Sequence, residues 1–269
     1  MAKPRVVLKL GGELLEQPAD LERIARQIVA LAARTALVVV HGGGREIDAG
    51  LAAAGIPKQQ VDGLRVTDAP TLGVVVSVVA GAINTRLVGA VRKAGGQPVG
   101  LTGADAGVAV MRRAAPITSV AGDRVDLGLV GTPTAGAPAL LLDLLRRGYV
   151  PVVACIGATR AGELLNVNAD TLAAHLAVTL GARRLVIAGG TAGVFDGQGA
   201  TIPRLDARAA GRMIKTGSAN KGMVAKLEAC RSALRKGVGA VFIADGRRVA
   251  FDQLVDASAA PRGCTQVVS

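Results

Sequence analysis

Short aliphatic runs alternate along this chain with longer stretches whose apolar residues return every three or four positions. The runs Arg5–Leu10, Ala36–Val40, Pro98–Leu101, Val150–Ala154, Arg184–Ala188 and Ala240–Ala244 show little polar alternation, which marks strands covered on both faces. The intervening periodicity predicts a helix over Leu21–Ala33, with Asp20 placed to cap it, and another over Arg45–Ala54, stopped by Gly55. Helices are also predicted at Ala139–Arg147, Ala169–Leu180, Ala207–Lys215 and Lys221–Lys236. Pro70 to Ala94 is valine-rich, but its length favours a buried helix over a strand. Val108 to Leu129 alternates around Ala121-Gly122-Asp123, the pattern of one or more β-hairpins. Strand and helix alternate from end to end. That order predicts an α/β fold: a three-layer α/β/α sandwich with a mainly parallel central sheet, right-handed crossovers and β-hairpin excursions. The 269 residues fit one large domain, and no internal repeat, low-complexity tract or long linker divides them.

Composition narrows the partners. Half of the residues are hydrophobic but only 1% are aromatic, with no Trp. The core is therefore aliphatic, and the stacking platforms of single-strand nucleic-acid binders are missing. The net charge of +12 is spread over pairs such as Arg112-Arg113 and Arg247-Arg248 rather than blocks. Scattered charge of this kind solvates a surface, and no nucleic-acid motif accompanies it. Cys155, Cys230 and Cys264 are odd in number and widely spaced, which points to unpaired thiols in a reducing compartment. No apolar signal region precedes Lys9. The longest uncharged stretch, Ala69 to Thr85, falls short of the roughly 20 apolar residues of a membrane span. A soluble, cytoplasmic protein without a membrane or nucleic-acid partner is expected.

Four motifs carry the candidate chemistry. Lys9-Leu10-Gly11-Gly12 ends the first strand, at the edge where open α/β sheets collect ligands. Its glycines let the backbone approach a phosphate closely. His41-Gly42-Gly43-Gly44 lies between a strand and a helix, whose positive end faces whatever rests on Gly43 and Gly44. His41 is read as a structural or hydrogen-bonding residue rather than a base, and His175, mid-helix among Ala and Leu, as a packed core residue. Asn166-Val167-Asn168-Ala169-Asp170 precedes a helix; Asp170 is either its cap or an organiser of two lysine ammonium groups. Gly222-Met223-Val224-Ala225-Lys226 supplies the second lysine. Arg65, in the loop Gly63–Asp68, is either a two-pronged carboxylate clamp or a surface residue paired with Asp62 or Asp68. Lys9, Lys226 and Asp170 together make a phosphoryl-transfer site plausible, because positioning and charge stabilisation are nearly all that such chemistry needs. There is no Walker loop, dinucleotide-binding GxGxxG, protein-kinase HRD or DFG, or HExxH sequence. No residue set is read as a metal site.

Taken together, His41–Gly44, Gly63–Asp68, Pro151-Val152-Val153 with Ile156-Gly157, Asn166–Asp170 and Gly222–Lys226 resemble the amino acid kinase superfamily, with its carbamate kinase-like fold, and within it the acetylglutamate kinase branch. The resemblance runs over nearly the whole chain. It implies ATP-dependent phosphorylation of the γ-carboxylate of N-acetyl-L-glutamate in arginine synthesis, with Mg²⁺ neutralising the β- and γ-phosphates. It also implies roles for matching positions. Lys9 and Lys226 would stabilise the transferring group, and Asp170 would hold them. Gly11 and Gly12 would cradle ATP phosphates, with Gly190, Thr191 and Gly193 also on the nucleotide side. Gly43 and Gly44 would serve the substrate side, and Arg65 and Asn166 would bind acetylglutamate. The acyl acid and dimer contacts would fall in an N-terminal lobe, about residues 1–165, and the nucleotide in a C-terminal lobe, about 166–269.

Three segments depart from the family pattern. Gly189-Gly190-Thr191-Ala192-Gly193-Val194 lacks the Thr/Ser-Asp pair, Gly131-Thr132-Pro133-Thr134 deviates, and Gly263-Cys264-Thr265 stands where Gly-Thr is usual. Because the first strand begins close to Met1, the expectation is a homodimer without the N-terminal helix that links hexamers, and without arginine feedback. Two other readings are a kinase for aminoadipate or glutamate carried on an acidic protein, and a catalytically weak metabolite sensor.

Overall fold

The computed structural model describes residues 3–119, 121–136, 138–219 and 221–269. Eight strands form the central sheet: β1 (Arg5–Leu10), β2 (Ala36–His41), β3 (Pro98–Thr102), β4 (Val150–Ala154), β5 (Arg184–Gly189), β6 (Arg204–Asp206), β7 (Ala240–Asp245) and β8 (Cys264–Val268). Their spatial order is β6-β8-β7-β5-β1-β2-β4-β3. All neighbours pair in parallel except β7 and β8. The helices of eight or more residues are α1 (Pro18–Arg34), α2 (Gly44–Ala53), α3 (Ala69–Lys93), α4 (Ala139–Arg146), α5 (Ala169–Thr179), α6 (Ala207–Lys215) and α7 (Lys221–Arg235).

Side-chain alternation along the strands builds two cores. Val6, Leu8 and Leu10 of β1, with Val186 of β5 and Phe242 of β7, pack against Ile24 and Ile28 of α1 and Leu87 of α3. Val7, Ile187 and Ile243 point the other way, toward Leu172 and Leu176 of α5 and Leu227 of α7. The expected three layers are therefore the observed ones. Lys9 shares its face with Val7, because side chains two apart on a strand share a side. That puts its ammonium group beneath α5 and α7.

Local departures from the sequence reading have local causes. α1 begins at Pro18 rather than after Asp20, with Gln17 at the N-cap position and no side-chain cap, because proline presets the backbone of a first turn. Asp20 instead receives Arg247 at 2.9 Å and Arg23 at 3.2 Å. Of Val108 to Leu129, only Ile117–Thr118 and Arg124–Val125 form a hairpin of their own. Val110–Arg113 joins a separate four-stranded sheet with Gly131–Ala135, Ile156–Ala158 and Leu164–Asn166.

α3 is a helix as expected, but only one stripe of it is buried, Thr71, Val75, Val79, Ile83, Leu87 and Val91, together with Asn84 beside it. A spacing of four drifts around a helix of 3.6 residues per turn. The π-helical stretch Ser77–Ile83 widens the turn and corrects the drift. Among the described residues, α3 is the one helix long and apolar enough to cross a membrane, with a mean hydropathy of 1.8 in its most apolar window. The count based on Ala69 to Thr85 missed this, because the helix continues past Arg86 to 25 residues. Ile83, Leu87 and Val91 pack in the core shared with α1, and Val75 and Val79 in the core shared with Ile47 and Leu51 of α2, which marks α3 as a core helix.

Phe242 is fully buried in β7, and the Arg184 guanidinium lies 5.5 Å from its ring centre. Phe242→Ala should lower unfolding free energy by about 3–5 kcal/mol. Urea titration will show this as a lower midpoint at unchanged slope; a loss below about 1 kcal/mol would contradict the packing described.

Candidate active site

The C-terminal ends of β1, β2 and β5 lie side by side at one edge of the sheet, the floor of the candidate cleft. β1 runs straight into Gly11 and Gly12, and β2 into Gly42, Gly43 and the first turn of α2. The two loops touch backbone to backbone: a Cβ on Gly12 would stand 2.8 Å from Gly43 Cα. A Cβ on Gly43 would run into the Cδ1 of Ile83 from α3. Glycine is required at position 12 by close approach rather than by backbone angle, whereas a side chain at 43 would have to displace Ile83.

α5 supplies the central charge. Asn168 caps the helix, accepting from the N–H groups of Asp170 at 2.9 Å and Thr171 at 3.1 Å. Asp170 is thereby released from the capping role and points inward, buried. Lys9 Nζ stands 2.9 Å from its Oδ1 and Lys226 Nζ 3.6 Å from its Oδ2. The first contact is an ion contact rather than an aligned hydrogen bond, for Oδ1 is buried without a hydrogen-bonding donor. Burial pushes the Asp170 carboxyl upward, but the two lysines outweigh it and hold the group below the usual carboxylate range. Burial likewise works against a charged Lys9, and Asp170 more than offsets it, so the ammonium group is retained above its ordinary range. A carboxylate carrying two ammonium groups leaves one net positive charge facing the cleft.

His41 lies at the end of β2, fully buried. Its Nε2 is 3.0 Å from Asn84 Nδ2 and its Nδ1 is 3.2 Å from Gly42 O. These partners fit a tautomer that donates from Nδ1 and accepts at Nε2. Burial pushes its pKa down to about 4, so the ring is neutral and structural, as the sequence reading preferred. His175 is half-buried on α5 rather than enclosed in the core.

On the other side of Gly43 stands Arg65. It lies on a strand, Leu64–Arg65, that pairs with Gln60–Val61 in a hairpin, not in an open loop. Asp62-Gly63 makes that turn with positive φ at both residues, a sequence cue for a hairpin that the loop reading passed over. The partner of Arg65 is Asp48 of α2, not Asp62 or Asp68. Asp68 instead caps α3 through the Thr71 N–H. Arg65 is buried, and its Nη1 has no hydrogen-bond partner. An unsatisfied buried guanidinium nitrogen calls for an acceptor from outside the chain. Asn166 donates to Thr67 Oγ1 at 3.2 Å and joins the same wall.

The residues after β5 divide. The Gly190 N–H faces the cleft and donates to Glu13 Oε1 at 2.9 Å. Thr191 is half-buried, and its carbonyl accepts the Gly193 N–H at 2.8 Å. Gly193 is packed under Thr265, where a Cβ would stand 2.8 Å from the Thr265 N. Thr265 also accepts the Val194 N–H at 2.8 Å and donates to Ile202 O at 2.6 Å. It therefore holds the loop in place. Sequence reasoning missed Glu13, Asp48 and Arg247. Arg247 binds the Glu13 carbonyl at 2.8 Å and Asp20 at 2.9 Å, tying the loop after β7 to the turn after β1. The three cysteines are buried free thiols, and burial pushes Cys155, near Lys9, up to about 11.

Residues 4–245 match the amino acid kinase family. The acetylglutamate kinase of Ruegeria pomeroyi is 41% identical over 243 residues, 90% of this chain and 82% of that relative. The acetylglutamate kinase of Gluconacetobacter diazotrophicus is 40% identical over 246 residues, 90% and 79% of the two chains. Among solved structures, N-acetylglutamate synthase from Neisseria gonorrhoeae, complexed with coenzyme A and N-acetyl-glutamate, superposes with a TM-score of 0.84 at 25% identity. That match spans all of this chain but only 60% of the synthase. Carbamate kinase from Giardia lamblia bound to AMP-PNP shares the fold, with a TM-score of 0.71 at 16% identity over 100% and 99% of the chains. The chain belongs to the amino acid kinase family.

Two predictions follow from the buried charges. Asp170→Asn should cost about 3–5 kcal/mol in chemical denaturation, since it strands two lysines in low dielectric; a loss under about 1 kcal/mol would mean the lysines do not depend on it. His41 is charged below pH 6.5 when unfolded but only below about 4 when folded, so its stabilisation is complete above pH 6.5 and is lost on acidification. Between pH 7 and 4, wild type should lose about 3 kcal/mol more than His41→Gln; parallel stability curves would contradict the neutral buried ring.

Proposed function

We propose that this member of the amino acid kinase family phosphorylates the γ-carboxylate of N-acetyl-L-glutamate with ATP, an arginine-biosynthetic step. One observation carries the proposal: a single buried carboxylate, Asp170, gathers ammonium groups from residues 9 and 226 at the end of the parallel sheet. The names of the relatives at about 40% identity supply the substrate.

The chemistry asks little else of the protein. An oxygen of the substrate carboxylate attacks the γ-phosphorus in line, the bond to the β–γ bridging oxygen breaks, and an acyl phosphate and ADP result. The nucleophile is already ionised, so no general base is needed, in accord with a neutral His41 whose nitrogens are both engaged. Negative charge shifts onto the transferring and leaving oxygens, where Lys9 and Lys226 act. Gly12 lends a backbone donor to the nucleotide phosphates and Gly11, whose N–H is held by the Ala188 carbonyl at 2.8 Å, lets them approach closely, with Gly190 and Thr191 on the same side. Gly43 and Gly44 do so at the start of α2 for the acyl side. The free Nη1 of Arg65, beside Asn166, suits a substrate carboxylate.

Among the described residues, no group of three or more acidic, histidine or cysteine side chains is assembled for a metal. In this reading Mg²⁺ arrives on nucleotide phosphates, since that ion is usually held by substrate oxygens with one or two carboxylates. When bound, it would neutralise β- and γ-phosphate charge. A cytoplasmic homodimer belongs to the same proposal; the half-exposed apolar flank of α3, with Leu72, Val76 and Ala80, supports a self-associating face.

Coupled ADP release should be rapid with acetylglutamate and at background with glutamate and aminoadipate; equal rates for aminoadipate would reject the assignment. Lys9→Ala or Lys226→Ala should lower kcat by about 10²–10³ with little change in KM, since their contacts strengthen as charge develops. Equal effects on both constants would count against these roles.

A further inference from the structure

Glu13 belongs to the short turn after Gly11 and Gly12, and its side chain folds back over the loop it follows. Both carboxylate oxygens lie against the open face of Gly11. Oε1 accepts the Gly190 N–H at 2.9 Å, so the carboxylate bridges the ends of β1 and β5. A Cβ on Gly189 would stand 3.1 Å from that oxygen and 4.0 Å from Lys226 Cε. Arg247 anchors the main chain of the turn through the Glu13 carbonyl, and Glu13 forms no ion pair among the described residues. An anion of the protein's own thus occupies the N–H donor and glycine face offered to the nucleotide.

Charge counting shows what this does. Lys9, Lys226 and Asp170 leave one net positive charge, and Glu13 cancels it. A bare polyphosphate arriving here meets a carboxylate on its own binding donor and no net attraction from these four groups. A polyphosphate carrying a divalent cation meets the same carboxylate as a favourable neighbour. We propose that Glu13 is a specificity residue of the nucleotide subsite, which rejects the metal-free nucleotide and admits the cation-bound form. The proposal rests on the kinase reading above and assigns that site a selectivity.

Calorimetric binding of ADP in excess EDTA and of ADP in excess Mg²⁺, with wild type, Glu13→Gln and Glu13→Ala, tests it. Wild type should bind the Mg²⁺ form at least about tenfold more tightly than bare ADP. Glu13→Gln keeps an oxygen for the Gly190 N–H and removes the charge. It should tighten bare ADP by about tenfold while the Mg²⁺ form changes by less than about threefold. Glu13→Ala, which loses the hydrogen bond too, should match it. An unchanged ratio in the glutamine variant, equal weakening of both forms in both variants, or a wild type indifferent to Mg²⁺ would each overturn the proposal. A wild type that binds neither form would instead overturn the kinase reading beneath it.

Discussion

Buried charge governs this molecule. Asp170 could not remain ionised inside α5 without cations, and Lys9 could not remain an ammonium group on a buried strand without an anion. Each is tolerable only because the other is there, and Lys226 completes the balance. The triad therefore fixes how β1, α5 and α7 meet, three elements that are far apart in sequence. Asn168 contributes indirectly: by taking the helix cap it leaves the neighbouring carboxylate free to face inward.

The sheet turns this local balance into an aligned site. Parallel strands covered on both faces deliver their C-terminal ends to one edge, and strict alternation sends Lys9 to the α5 and α7 side while Leu8 and Leu10 go to α1. The glycine loops after β1 and β2 then meet at Gly12 and Gly43, where main chain approaches main chain. What remains open is backbone N–H and positive charge, the two things an anionic reactant pair requires. His41, though central in position, serves as a hydrogen-bonded brace between β2 and α3 through Asn84.

Much of this was legible in the sequence. The aliphatic runs predicted six of the eight central strands, because burial on both faces leaves an unmistakable composition. Lys9, Asp170 and Lys226 stood out through the glycine and asparagine settings around them. What escaped were pairings whose partners lie far away along the chain. Nothing near Arg65 announces Asp48, and nothing near Glu13 announces Gly190 or Arg247. The edge strand β6 and its neighbour β8 were also missed, since neither is a long aliphatic run and both run against the other six. The turn at Asp62-Gly63 was readable and passed over. The π-helical stretch of α3 was visible only as a spacing of four that an ordinary helix cannot sustain.

Gly12 and Gly43 press main chain against main chain where two substrates would be brought together. On the proposed reading, the gap a phosphoryl group would cross is gauged by the thickness of bare polypeptide rather than by side chains that could rearrange. The reach of such a reaction would then be built into the covalent skeleton itself, as a fixed ruler between donor and acceptor.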